Sequence, residues 1–147
     1  MNQAVTKREA AEYVLEDQVG HLLRRAHQRH AAIFQALIGD DQLTPLQFAA
    51  LVKLADLGEV SQNELGRQTA MDAATMQGVI KRLLVRKLVD RRPDPSDRRR
   101  LVLSLTARGL DLVAAITRDG HAISEATLAP LTEAERRTFL ALLRRLA

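Results

Sequence analysis

The stretch that decides the fold opens with Ser61-Gln62-Asn63-Glu64 and closes with Leu101-Val102-Leu103-Ser104-Leu105. Between them stand Met71-Asp72-Ala73-Ala74-Thr75-Met76 and a turn, Asp94-Pro95-Ser96-Asp97-Arg98-Arg99-Arg100. Ser61 and Glu64 have the spacing of a capping box, in which hydroxyl and carboxylate each take a backbone N–H at a helix start. Val60 and Leu65 flank that cap as a hydrophobic staple, and Met71 and Met76 flank a second cap at Asp72. One cap contributes only ~1 kcal/mol, but the two agree on register. A short helix ends near Thr69-Ala70, and a second starts at Asp72 after about three residues.

In the second helix Met76, Val79, Ile80, Leu83 and Leu84 form the inward stripe at helical spacing. Ala73, Ala74, Thr75, Gln77, Gly78, Lys81 and Arg82 fall largely on the other side. Val89–Pro93 and Arg99–Leu105 then read as strands. Leu101, Leu103 and Leu105 alternate with Val102 and Ser104, and Pro95 with its flanking aspartates supplies turn chemistry. Two short capped helices followed by an arginine-bearing hairpin make a winged helix-turn-helix. In such a unit one helix enters a major groove and the hairpin lies against the backbone. Small side chains at Ala74 and Gly78 allow close approach, Gln77 can pair with adenine, and Lys81 or Arg82 can reach guanine or phosphate.

Charge follows the same division. The whole chain of 147 residues carries a net +4. From Arg67 to Arg108 there are 11 Lys/Arg against 4 acids, a net +7, and the remainder has 11 Lys/Arg against 14 acids, a net −3. A solvated charged surface mixes its signs more evenly, whereas a polyanion-binding face segregates them.

Outward from this stretch the chain reads as helices. Leu15, Val19, Leu22, Ala26, Ile33 and Leu37 predict one long amphipathic helix from Ala10 to Ile38, ended by Gly39 in a left-handed C-cap. Its length exceeds what a small domain can cover, so packing on a second chain is expected. Thr44-Pro45-Leu46-Gln47 combines a cap, a proline at the first helical position and a capping box. Leu43 and Phe48 make its staple, and Gly58 stops the helix after Leu57. Thr106 caps a further helix, stapled by Leu105 and Leu110 and carrying Val113, Ile116, Ile123 and Thr127 inward through Gly120. Thr132-Glu133-Ala134-Glu135 starts the last helix, with Phe139, Leu142, Leu143 and Leu146 as its stripe.

Composition excludes several classes. The chain is 46% hydrophobic and 27% charged, the balance of a globular protein. It has no cysteine, so disulfides and thiolate chemistry are absent. The polar N-terminus lacks a signal-peptide core, and no apolar run approaches the ~20 residues of a membrane span. A soluble cytoplasmic protein with no membrane association is expected. No nucleophile–base pair, phosphate-binding glycine loop or metal motif is present, so neither an enzyme nor a cofactor is expected. His27 and His30 have a chelating spacing, but no further ligand stands near them in sequence and no metal site is assigned.

Leu88-Val89-Asp90-Arg91, the turn from Asp94 to Arg100, and Leu101 through Leu105-Thr106-Ala107-Arg108-Gly109 together resemble the wing signature of the MarR family of bacterial transcription regulators. The resemblance extends over essentially the whole chain. It implies a mainly α fold with a small β-wing, one domain over 1–147, with a DNA-binding lobe at 44–105 and dimerisation helices at 10–39 and 110–147. It implies a homodimer on double-stranded DNA, with half-sites about one helical turn apart. Arg99 would be the minor-groove residue, with Arg98 beside it and Asp97 holding the wing. Thr75, Gln77 and Lys81 fall where members contact the major groove. Lys87 departs from the pattern, standing where many members have glycine.

Members also commonly hold small aromatic or phenolic acids between the dimerisation helices and the DNA-binding lobe. Here His21, Arg24 and Arg25 are the candidates to receive such an effector's carboxylate or phenolate, with Phe48 and Leu51 as apolar wall. A ligand-responsive repressor is therefore expected. The alternatives are a winged-helix module for a protein partner, and a regulator of this kind with no small-molecule effector.

Overall fold

The computed structural model describes Lys7 and residues 9–147. The eight expected helices and strands are present in the expected order, and the first helix departs from expectation at both ends. Residues 9–12 are helical, Leu15–Asp17 forms a single 3-10 turn, and helix α1 runs only from Val19 to Leu37. The expected helix from Ala10 to Ile38 is thus broken at Tyr13–Gln18. Val14 and Gln18 are both extended, and the Gln18 amide donates to the Val14 carbonyl at 2.9 Å. Tyr13, Val14 and Leu15 are exposed, so among the described residues little packing offsets the modest helix propensity of Tyr-Val. Glu16 and Asp17 sit just ahead of α1, where the helix dipole favours negative charge.

The second departure is at the far end of α1. Ile38 ends the helix in an extended conformation, and Gly39 is not left-handed. Its N–H instead donates to the Asp119 carboxylate at 3.0 Å, tying the end of α1 to a later helix. Among the described residues Gly58 is the glycine with positive φ, at 79°.

Helix α2, Pro45–Leu57, starts with the full capping box: Gln47 N–H to Thr44 Oγ1 at 3.2 Å, and Thr44 N–H to Gln47 Oε1 at 3.4 Å. Strand β1, Val60–Ser61, follows and was not expected, since two residues carry no alternation to read. Ser61 is also the cap of helix α3, Gln62–Gln68, and accepts the Glu64 N–H at 3.2 Å. The reciprocal half of that box is missing. Ser61 lies in the sheet opposite Val102, and the Glu64 carboxylate turns outward to Arg67 and Gln68.

Helix α4 spans Ala73–Val85, strand β2 Val89–Pro93 and strand β3 Leu101–Leu105. The sheet order is β1-β3-β2, antiparallel throughout, with Val89 opposite Leu105 and Pro93 opposite Leu101. Arg99 and Arg100, expected in the second strand, belong to the turn. Helix α5, Ala107–Leu128, passes through Gly120 unbroken, and helix α6 covers Glu133–Leu146 from a second complete capping box at Thr132.

One core binds α1 to α5 and the sheet. Phe34 and Ile38 of α1, Leu51 and Leu54 of α2, Leu65 of α3, Met76, Ile80 and Leu83 of α4, Leu103 of β3, and Ile116 and Ile123 of α5 are all buried in it. Phe34 meets Phe48 edge-on, ring centroids 5.8 Å apart. Gly120 explains itself there, since a Cβ would lie 2.7 Å from the Phe48 ring. Leu110, expected inward as a staple, is more than half exposed, at 55%; Gly109, Leu112 and Val113 form the inward face at that end.

Lys87, standing where many members have glycine, adopts the left-handed conformation, φ 58°. Its N–H reaches the Leu84 carbonyl and the Leu88 N–H the Leu83 carbonyl, both at 3.0 Å, the two bonds of a Schellman motif. Ala70, φ 54°, closes α3 in the same way through Met71 N–H to Gly66 O at 2.9 Å. A side chain in this region costs about 1–2 kcal/mol against glycine. Lys87→Gly is therefore expected to raise unfolding stability by about 1 kcal/mol, read as a higher urea midpoint at unchanged m-value.

Candidate nucleic-acid interface

Helix α4 is fixed at its start by Asp72, whose carboxylate accepts the Thr75 N–H at 2.7 Å. That backbone bond, with the Thr75 side chain adding to it, holds the Asp72 carboxyl below the ordinary carboxylate range. The cap sets the helix rotation: Met76, Val79, Ile80 and Leu83 are buried, while Ala73, Ala74, Gln77, Lys81 and Arg82 are exposed. Thr75 and Gly78 are half-buried. A Cβ at Gly78 would find only Arg82 Nη1, 4.0 Å away, so internal packing does not demand glycine there. What glycine provides at Gly78 is a backbone open to close approach from outside.

The wing tip is built from its aspartates. Asp94 N–H donates to Arg100 O and Arg100 N–H to Asp97 O, both at 2.9 Å. Asp94 Oδ1 takes the Ser96 N–H and hydroxyl at 2.9 and 2.8 Å, and the backbone bond foremost pulls its carboxyl below the usual range. Asp97 Oδ1 accepts the Arg99 N–H at 3.0 Å. Two Asx turns thus shape the tip with acids turned inward to the backbone, leaving Arg98 and Arg99 exposed.

Two contacts not legible in the sequence orient these parts. On β2, Arg92 Nη2 meets both carboxylate oxygens of Glu59 at 2.8 Å, tying the wing to the segment before α3. At the end of α4, Arg86 pairs with Asp40 of the α1–α2 loop, linking the exposed helix to the long helices. Neither pair has a sequence spacing that announces it. The linkage of wing to helix end is, by contrast, visible in Leu105-Thr106-Ala107-Arg108-Gly109. Thr106 Oγ1 accepts the Gly109 N–H at 3.0 Å and donates to Lys87 O at 2.7 Å, while Thr106 N–H reaches Leu88 O at 3.1 Å.

The five candidate effector contacts are not brought together within one chain. Leu51 is fully buried in the core, at 0% exposure, and offers no wall to a ligand. Phe48 is half-buried against Phe34 and Gly120. His21, Arg24 and Arg25 lie 9–13 residues before Phe34 on α1, about 14–20 Å along the helix axis; Arg24 and Arg25 are exposed and His21 is half-buried. Arg24 donates to His21 Nδ1 at 3.0 Å. The face that does carry a cavity, about 400 Å³, bears Leu23, Ala26, His27 and His30, with Phe139 and Leu140 of α6 across from them. There His30 Nδ1 pairs with Thr127 Oγ1 at 2.8 Å.

Comparison with known proteins is consistent with this geometry. A model of the MarR family matches residues 41–100, which include α2, both helices of the reading unit and the wing to its tip. The chain is 46% identical over 134 residues to the HTH-type transcriptional repressor NicR of Pseudomonas putida, covering 91% of this chain and 85% of that one. A solved probable transcriptional regulator from Pseudomonas aeruginosa superposes with TM-score 0.89 at 48% identity, over 91% of this chain and 100% of that one. Bordetella bronchiseptica BpsR, solved in a study of how 6-hydroxynicotinic acid regulates its DNA binding, gives TM-score 0.87 at 45% identity over 91% of this chain and 96% of that one. With the reading helix, the aspartate-shaped wing and the Thr106–Gly109 junction all in place, the chain belongs to the MarR family of DNA-binding transcriptional regulators.

Proposed function

We propose that this protein is a repressor that binds a pseudo-palindromic operator as a homodimer and releases it when a small aromatic acid binds. The observation that carries the DNA-binding part is the pairing of an exposed, glycine-opened α4 face with a wing that presents Arg98 and Arg99. Positions Ala74, Thr75, Gln77, Gly78, Lys81 and Arg82 face the major groove, and Arg99 enters the minor groove, where narrow A·T-rich segments attract guanidinium.

The dimer is supported by apolar side chains left uncovered on the long helices. Val19, Leu22, Leu142 and Leu146 are each at least half exposed, and α6 buries none of its residues within the chain. A second copy that covers them brings two α4 helices to one DNA face, as a two-fold operator requires.

The effector is assigned to the hydroxylated pyridine-carboxylate or related aromatic acids, by similarity to BpsR. His21, Arg24 and Arg25 receive its carboxylate. Because they lie about 14–20 Å along α1 from Phe34, on which their own Phe48 packs, they meet an acid lying against Phe48 from across the dimer. A coupling of about 1–3 kcal/mol between the two sites is enough for derepression. The test is release of a selected operator duplex by 6-hydroxynicotinic acid, measured by fluorescence anisotropy. Wild type is expected to release; the Arg24→Ala, Arg25→Ala double variant is expected to keep operator affinity and lose the response. Full response in that variant would place the effector elsewhere.

A further inference from the structure

Gln62 makes one contact that the reading of α4 does not absorb. It is the first residue of α3, fifteen positions before Gln77, and its Nε2 donates to Gln77 Oε1 at 2.8 Å. The bond crosses a notch of about 340 Å³ between α3 and α4, floored by Gly66, Met71 and Met76. Gln77 is exposed on the groove-facing side, and Gln62 is half-buried beside it. Gln62 Oε1 is buried and accepts no hydrogen bond from the described residues.

A buried carbonyl oxygen without a donor works against folding. Gln62 bears that cost while directing its N–H groups to an exposed side chain, an arrangement that packing alone does not call for. Its effect on Gln77 is geometric. A free glutamine samples many rotamers and can present either end of its amide. With Oε1 held by Gln62, the amide plane is fixed, and one oxygen lone pair and the Nε2–H groups remain for the groove. Adenine offers the matching edge, an N6–H donor beside the N7 acceptor. Thymine presents its O4 acceptor and methyl, and guanine two acceptors, so neither satisfies both ends of the amide.

We propose that Gln62 is a specificity-positioning residue: its hydrogen bond orients the Gln77 amide to read adenine in each half-site. This rests on the proposed insertion of α4 in the major groove, and it goes beyond it by assigning a discriminating role to a residue outside the reading helix.

Selection from random DNA duplexes with the full chain tests it, using wild type, Gln77→Ala, Gln62→Ala and Gln62→Glu. Glutamate keeps the shape and suits a helix start, but it cannot donate to Gln77. Wild type is expected to enrich adenine at one position per half-site, and Gln77→Ala to erase that preference. Both Gln62 variants are expected to lower it about fivefold or more at that position alone, with the preferences at other positions unchanged and cooperative thermal unfolding retained. The readout is a ratio between bases, so a general loss of affinity from the added charge does not mimic the result. Retention of the wild-type adenine preference in both Gln62 variants overturns the proposal, as does a Gln77→Ala profile identical to wild type. Enrichment of no sequence by wild type would instead remove DNA reading itself, and the proposal with it.

Discussion

Gly109→Ala is expected to cost about 4 kcal/mol or more of unfolding stability, a loss reserved for a few severe mechanisms. A Cβ at this position would lie 2.1 Å from Leu88 O and 3.2 Å from Leu105 Cδ2. The first of these is backbone, and it cannot swing away as a side-chain end can. Relief requires moving the first turn of α5 or the start of β2, and with it the Thr106 bonds to Lys87 O and Leu88 O. Two other glycines calibrate the result. Gly120→Ala meets the Phe48 ring, which can turn, and is expected to cost less. Gly20→Ala meets nothing within 4 Å in the first turn of α1 and is expected to gain up to about 1 kcal/mol. Denaturant unfolding of the three variants gives that order, or contradicts the close approach of α5 to the end of the reading helix.

The second large effect is on DNA affinity. If the two reading units of a dimer neutralise 6–10 phosphates, operator affinity falls by roughly 10³–10⁵ between 50 and 200 mM salt through counterion release. Arg99→Ala is expected to weaken specific binding by about 1–3 kcal/mol, and the slope of log affinity against log salt by roughly 2, one charge per protomer. The wing should survive the change, because Asp97 holds the tip through the backbone N–H of residue 99 and not through its side chain.

The parts of this fold that sequence reveals are those decided by neighbouring residues. Thr44 with Gln47 and Thr132 with Glu135 form complete boxes because both partners lie within one turn and nothing else competes for them. Ser61 with Glu64 forms only half of one, because β1 takes Ser61 into a sheet whose pairing partner lies some forty residues away. The same limit hid β1 itself. Lys87 and Ala70 show the reverse case, since a Schellman motif is built there although glycine, its usual sign, is missing.

The long helices were less legible. Apolar spacing from Leu15 to Leu37 satisfies a helix, but spacing cannot report that Tyr13 to Leu15 stay exposed among the described residues. Residue type alone gives Gly39 a left-handed cap, whereas its N–H serves Asp119, eighty residues on. Of the candidate site, the α4 face and the wing arginines were readable because period and charge both mark them. The effector group was not. Leu51 has the apolar character of a pocket wall and of a core equally, and only its complete burial decides for the core.

The most direct test of the account is operator affinity across 50–200 mM salt, by fluorescence anisotropy on a duplex selected with the wild-type chain, for wild type and Arg99→Ala in parallel. A steep wild-type slope is expected, and for Arg99→Ala a shallower slope with roughly 10- to 100-fold weaker binding and an unchanged oligomeric state. A flat salt response, or equal affinity in the two proteins, would contradict it and favour a winged helix that docks on another protein.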